Sequence, residues 1–263
     1  MQTEFQISIK IDDHGVGLLV IDNAADADRE ALSQAVAMAA EDALTTRGAH
    51  RIESDPAEDD HRARWALLHA GFRLEGRRRE AIEIEDHRHL DELIFARLAG
   101  DVIGGPDGFS AVANSTMPRK RLIAHVLMRD AGGRVLLCET TFKRDWELPG
   151  GIVEPDESPR LGAIREVREE LGLDIEPGAL LAIDWMPRYL GWDDALEMIF
   201  DGGVVTDDEI ARYNLDHQEI RAVQLIDLVD AEPHLTPLSY RRLTAITTLG
   251  NDRTLIMEDG RPL

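Results

Sequence analysis

Gly151-Ile-Val-Glu-Pro-Asp-Glu-Ser-Pro-Arg-Leu-Gly-Ala-Ile-Arg-Glu-Val-Arg-Glu-Glu-Leu-Gly-Leu173 decides how this 263-residue chain is read. Ser158 before Pro159 is a helix start, with serine as N-cap and proline at the first helical position, and Gly172 is a stop. Residues 158–171 are therefore predicted to be helical. At about 100° per residue, Leu161, Ile164, Val167 and Leu171 form an apolar stripe, and Glu166, Glu169 and Glu170 gather opposite it at i, i+3, i+4. Like charges so spaced destabilise a helix by roughly 0.2–0.5 kcal/mol per pair, so the patch either faces water or binds a cation. Hard divalent ions such as Mg²⁺ take oxygen ligands and keep waters that a phosphate can replace. Arg165 can pair with Glu169 one turn on. The helix alone favours a solvated acidic face.

Outward from this segment, Leu122 to Met128, a turn at Asp130-Ala-Gly-Gly133 and Arg134 to Thr141 read as a hairpin. Beyond it come strand candidates at 180–185, 196–200 and 220–225 and a last helix near 238–249. Residues 101–118, rich in Gly, Pro, Ser and Ala, lose periodicity and read as a linker. The chain before them alternates strands at 5–11, 16–21 and 50–53 with helices at about 28–46 and 58–70. Residues 72–76 and 81–85 and the run from Leu93 read as further strands. The expected class is α/β (α+β) in two domains, 1–100 and 119–263, joined by the linker 101–118.

Composition narrows the function. A charge of −22, from 51 acidic and 29 basic residues, argues against nucleic acid polymers and anionic membranes as partners. A phosphate-bearing substrate would then need a local device such as a metal ion. The single cysteine, Cys138, excludes an intrachain disulfide and a cysteine metal cluster, and reads as a buried strand residue. No apolar run reaches the roughly 18 residues of a membrane span, and the N-terminus lacks signal-peptide features, so a cytoplasmic location is expected.

The spacing from Gly151 through Glu157 to Arg165-Glu-Val-Arg-Glu-Glu-Leu-Gly-Leu173 resembles the Nudix signature, G-x5-E-x7-R-E-U-x-E-E-x-G-U with U aliphatic, at every specified position. Trp146-Glu-Leu-Pro-Gly150 resembles the usual entry into that box. The resemblance covers roughly 119–250 and implies an α/β/α sandwich with a mixed sheet, with the box as loop, helix and loop. It implies a hydrolase that cleaves a phosphoanhydride in a nucleoside triphosphate or a nucleoside diphosphate-linked small molecule. It further implies that Glu166, Glu169 and Glu170, with the carbonyl of Gly150, ligate Mg²⁺ or Mn²⁺. Arg165 would orient Glu166, Glu157 would support the site, and a later acidic residue, here Glu219, would join it. Arg165, Glu166, Glu169 and Glu157 are thus the catalytic candidates, with a box or loop glutamate as base. In Trp185-Met-Pro-Arg-Tyr-Leu-Gly-Trp192, Arg188, Tyr189 and Trp192 are candidates for meeting a phosphate and stacking on a base.

His61-Arg-Ala-Arg-Trp-Ala-Leu-Leu-His-Ala-Gly-Phe-Arg-Leu-Glu-Gly76 resembles the C-terminal half of GNAT acetyltransferases. That resemblance implies a glycine-rich pyrophosphate loop before the first helix, whose backbone amides would hold coenzyme A. Asp28 and Glu30 stand where its glycines belong, and two carboxylates there would repel a pyrophosphate. The N-terminal part is therefore read as a partial, degenerate GNAT-like unit, suited to homodimerisation, gating or partner binding. Non-catalytic nucleotide sensing and acetyl-CoA-dependent N-acetyl transfer stay open as alternatives.

Overall fold

A computed structural model describes residues 5–249 and 253–263. The chain divides into two compact units, Met1–Pro118 and Arg119–Leu263. In the first, strands β1 (Gln6–Ile11), β2 (Val16–Asp22), β3 (Arg51–Ser54), β4 (Arg73–Glu83) and β5 (His89–Leu98) form a mixed sheet in the order β1-β2-β3-β5-β4, with β2 and β3 parallel. Helix α1 (Arg29–Thr45) buries Leu32, Val36, Ala40 and Ala43, and α2 (His61–His69) adds Ala66 and Leu67, against Leu19, Ile52, Leu93 and Phe95 of the sheet.

Two expectations for this unit change. The separate strands 72–76 and 81–85 are one strand, β4, whose pairing with β5 is irregular between Arg78 and Ile82. Asp91 secures that irregularity by accepting from the Glu80 amide at 2.8 Å, where Glu80 has φ 52°. The expected linker 101–118 contains a helix, α3 (Gly105–Thr116). Its glycines suggested a coil, yet Gly108 is buried so tightly that an added Cβ would lie 2.8 Å from the Val102 carbonyl oxygen. The Leu74 amide, on β4, donates to Ser115 Oγ at 3.0 Å and ties α3 to the sheet.

In the second unit, β6 (Arg121–Arg129), β7 (Val135–Thr140), β8 (Gly150–Ile152), β9 (Leu180–Met186), β10 (Ala195–Val204), β11 (Ile220–Ile226), β12 (Leu255–Glu258) and β13 (Arg261–Pro262) form one mixed sheet. Its order is β11-β7-β6-β10-β9-β12-β13, with β8 paired to β6 off that path. Helix α4 (Pro159–Leu171) covers one face and α7 (Pro237–Leu249) the other, and the short helices α5 (Asp207–Ile210) and α6 (Leu228–Ala231) flank β11. The alternation along β7 shows why: Val135 and Leu137 face the α7 core, and Leu136 and Cys138 face the α4 core. A strand covered on both faces reads as a continuous apolar run. This is the expected α/β/α arrangement. No helix among the described residues is long and apolar enough to cross a membrane.

The expected hairpin is real only at its turn. After the Arg129 and Val135 pair, β6 leaves β7 and pairs with β8, matching His125 with Gly150 and Ile123 with Ile152. That exchange carries the start of the box into the sheet.

Candidate active site

Gly150 sits at the junction of β8 and the box with φ +126°, a conformation side chains disfavour, and an added Cβ would lie 2.3 Å from the Ala124 carbonyl oxygen. Its amide donates to Glu170 Oε2 at 2.9 Å. At Gly151 a Cβ would lie 2.8 Å from the carboxyl carbon of Glu166, so the box glycine is the space that this carboxylate occupies. Gly162 has the same use on α4, where a Cβ would lie 2.9 Å from Glu157 Oε1.

Helix α4 starts and stops at the expected residues, with the Ser158 side chain accepting from the Leu161 amide and Gly172 left-handed at φ +69°. Its faces differ from the predicted ones. Leu161 is exposed, whereas Gly162, Ala163, Val167, Leu171 and also Glu170 are buried. Burying small residues brings the helix backbone close to the sheet and turns Glu170 inward, toward Gly150. The three glutamates therefore grade from core to water: Glu170 is 9% exposed, Glu166 is partly buried, and Glu169 is open to solvent.

Arg165 gathers the remaining carboxylates. Its guanidinium donates to Glu157 Oε1 at 2.8 Å, Glu166 Oε1 at 3.0 Å, Glu169 Oε2 at 2.9 Å and the Ile152 carbonyl at 3.0 Å. Glu157 also accepts from the Glu154 amide at 2.7 Å, and Arg165 holds its carboxyl below the usual range. Glu166 is shifted upward, chiefly by burial, with repulsion from Glu169 and Glu219 added and Arg165 opposing. Burial pushes Glu170 up to about 7 against the favourable Gly150 amide and the charge of His125, and among the described residues it forms no direct ion pair.

Glu219 lies on the exposed loop before β11. The loop is docked to the end of α4, where the Asn214 and Asp216 amides donate to the carbonyls of Leu171 and Glu170 at 3.1 and 3.0 Å. Its charge reaches Glu166. Among the described residues, no three His, Cys, Asp or Glu side chains already converge as a metal cage. Arg165 holds three of the candidate carboxylates in its own fan instead.

Arg188, Tyr189 and Trp192 lie on an exposed hairpin between β9 and β10. Tyr189 and Trp192 exchange backbone hydrogen bonds around Leu190 and Gly191, both at positive φ, the geometry of a tight two-residue turn. Arg188 pairs with Asp193 at 3.1 Å, and the Arg121 guanidinium sits 4.9 Å from the Trp192 ring centre.

Sequence reasoning missed five residues near the box. Glu147, in the entry segment, pairs with Lys143, and its charge acts on both Glu170 and His125. The other four are a buried string across the sheet: His125 Nδ1 lies 2.8 Å from Glu197 Oε1, and Arg242 reaches Glu197 at 2.8 Å and Asp184 at 3.1 Å. Burial opposes charge on both His125 and Glu197, yet the neighbouring charges outweigh it. Glu197 shifts the imidazole up, and Glu197 falls to about 2 under the charge of Arg242 first and of His125 second.

The family described as NUDIX domain matches residues 119–245. A MutT-like protein of Streptomyces ambofaciens is 32% identical over 130 residues, which cover 43% of this chain and 79% of that protein. The CTP pyrophosphohydrolase of Escherichia coli K12 is 42% identical over 65 residues, 23% of this chain and 47% of that enzyme, so the match spans less than half of this relative. Among solved structures, a MutT protein from Methanosarcina mazei Go1 is 26% identical with a TM-score of 0.42, covering 49% of this chain and 96% of that one.

Proposed function

The chain belongs to the Nudix family, and from that premise we propose that its second unit hydrolyses a phosphoanhydride bond in a nucleoside triphosphate or nucleoside diphosphate-linked substrate, using Mg²⁺ or Mn²⁺. The observation that carries the reading is the buried Glu170 carboxylate, fixed by the Gly150 amide beside Glu166 and without a directly paired cation among the described residues, His125 acting on it only at a distance. A buried carboxylate without a directly paired cation is costly, and an all-oxygen donor set suits a hard divalent ion.

Glu166 and Glu170, with the Gly150 carbonyl, would hold the ion, and Glu169 and Glu219 would complete its surroundings from the solvent side. When bound, the ion supplies charge neutralisation for the pyrophosphate and a more acidic water. Arg165 would hold Glu166 in place and keep Glu157 and Glu169 beside it. Glu169, open to solvent, can accept a proton from an attacking water. Arg188, Tyr189 and Trp192 would receive the part of the substrate beyond the pyrophosphate.

The first unit is read as a GNAT-like fold without acetyl transfer. The N-terminus of α1, where that chemistry would seat a pyrophosphate, is capped by Asp28, whose Oδ1 accepts from the Ala31 amide at 2.9 Å, with Glu30 in the same turn. Tight calorimetric binding of acetyl-CoA would reverse this reading.

The test of the hydrolase is release of phosphate products from a nucleotide panel with Mg²⁺, in the native chain and in Glu169→Gln and Glu170→Gln. Product formation that disappears in the variants supports the assignment, and full activity in both would sink it. Thermal stabilisation by a nucleotide with no product formed would favour a sensor.

A further inference from the structure

His125, Glu197, Arg242 and Asp184 come from β6, β10, α7 and β9, and all four are at least nine-tenths buried. Each carboxylate is engaged at both oxygens. Glu197 meets His125 Nδ1 through Oε1 and Arg242 through Oε2, and Asp184 meets Arg242 and accepts from the Gly260 amide at 3.1 Å. Arg242 Nε has no hydrogen-bond partner among the described residues. Such a string is a poor way to gain stability, because apolar side chains of the same volume commonly do as well. Its position offers another use.

In the sheet register His125 stands directly opposite Gly150. The two are so close that a Cβ on Gly150 would lie 2.8 Å from His125 Cα and 2.9 Å from its ring carbon Cδ2. The Gly150 amide is in turn the hydrogen-bond donor to Glu170. Glu197 fixes the rotation of the imidazole, the imidazole edge bounds the Gly150 peptide, and that peptide fixes Glu170.

We propose that His125, Glu197, Arg242 and Asp184 form a positioning string that seats the Gly150 peptide against Glu170 and thereby sets the affinity of the carboxylate site for its divalent cation. It links that site to the C-terminal helix and to the β12–β13 turn at Gly260. The proposal rests on the metal-site reading above. Its components would act by positioning Gly150, and recovery in His125→Asn, which restores the contact without the imidazole charge, separates that from the charge of His125 on Glu170. Residues that orient a metal ligand typically change metal affinity by about 10- to 100-fold when altered.

The experiment is calorimetric titration of Mn²⁺ into the full chain without nucleotide, with exchange of the Gly150 amide hydrogen followed in parallel. Glu197→Gln and His125→Leu should weaken Mn²⁺ by about 10- to 100-fold and speed Gly150 exchange. His125→Asn, whose amide nitrogen can replace Nδ1 toward Glu197, should recover much of both. His125→Leu leaves Glu197 paired with Arg242, which keeps a folded variant available. Leu137→Ala, a fully buried β7 residue that faces away from α4 and lies outside the string, controls for general destabilisation. Wild-type Mn²⁺ affinity in folded Glu197→Gln and His125→Leu, or an equal loss in Leu137→Ala, would overturn the proposal. Absence of Mn²⁺ binding in the native chain would instead remove the metal-site reading beneath it.

Discussion

Arg165 donates to three carboxylates and a carbonyl at once, which only a planar fork of five N–H groups can do. Arg165→Lys keeps the charge but cannot span Glu157, Glu166 and Glu169 together, so turnover should drop by about tenfold or more, the scale of about 1.4 kcal/mol. Steady-state kinetics on the best substrate of the panel checks this. Glu197 gives a prediction about stability. Its carboxyl falls to about 2 in the fold against an ordinary 4.5, so its contribution is fully present above pH 4.5 and is lost as pH falls toward about 2. At neutral pH, Glu197→Gln should cost about 3–5 kcal/mol because it leaves Arg242 and His125 without their shared anion. Urea midpoints of the two proteins should converge as pH is lowered through that window. A constant gap would place the destabilisation elsewhere. These two residues also mark what the chain discloses on its own. Arg165 belongs to one continuous segment whose spacing is a signal, whereas Glu197, His125, Asp184 and Arg242 meet only after three strands and a helix are brought together. Each of the four alone reads as an ordinary polar residue.

At the level of elements, α4 was legible in its limits and misread in its rotation. Ser158, Pro159 and Gly172 act locally, so its ends follow from sequence, but the buried face is chosen by what the sheet can admit. Gly162 and Ala163 allow closer approach than Leu161, and Glu170 turns inward with them. Strand β8 escaped notice because three residues carry no periodicity, yet its two glycines make opposite predictions. Gly150→Ala meets backbone at 2.3 Å and an unfavourable φ, so no side-chain motion relieves it and the unit should fail to fold stably. Gly151→Ala first meets the flexible end of Glu166, its three nearest atoms all in that carboxylate. It should leave the melting temperature nearly unchanged while weakening Mn²⁺, because the carboxylate is pushed from its place. Thermal melts paired with Mn²⁺ titration separate the two, and equal melting losses in both variants would contradict this account. Helix α3 was hidden for a related reason: its glycines signal a coil in isolation, but Gly108 is demanded by the Val102 carbonyl packed against it.

Over the whole molecule, each unit closes its own core. The first gathers Leu32, Val36, Ile52, Phe72 and Phe95, and the second encloses its sheet between α4 and α7. Every proposed ligand, the Arg165 fan and the buried string lie in Arg119–Leu263. A unit that closes its own core and carries every proposed ligand is expected to fold and bind by itself. Residues 119–263 produced alone should therefore fold, bind Mn²⁺ as the full chain does, and hydrolyse the same nucleotides with kcat/KM within about tenfold, or about 1.4 kcal/mol, of the intact protein. If the isolated unit folds and binds Mn²⁺ but loses turnover on one substrate while keeping it on others, the first unit contributes to substrate selection. If it loses Mn²⁺ binding while still folded, the carboxylate site depends on residues 1–118, and the assignment of a self-sufficient centre to the second unit fails.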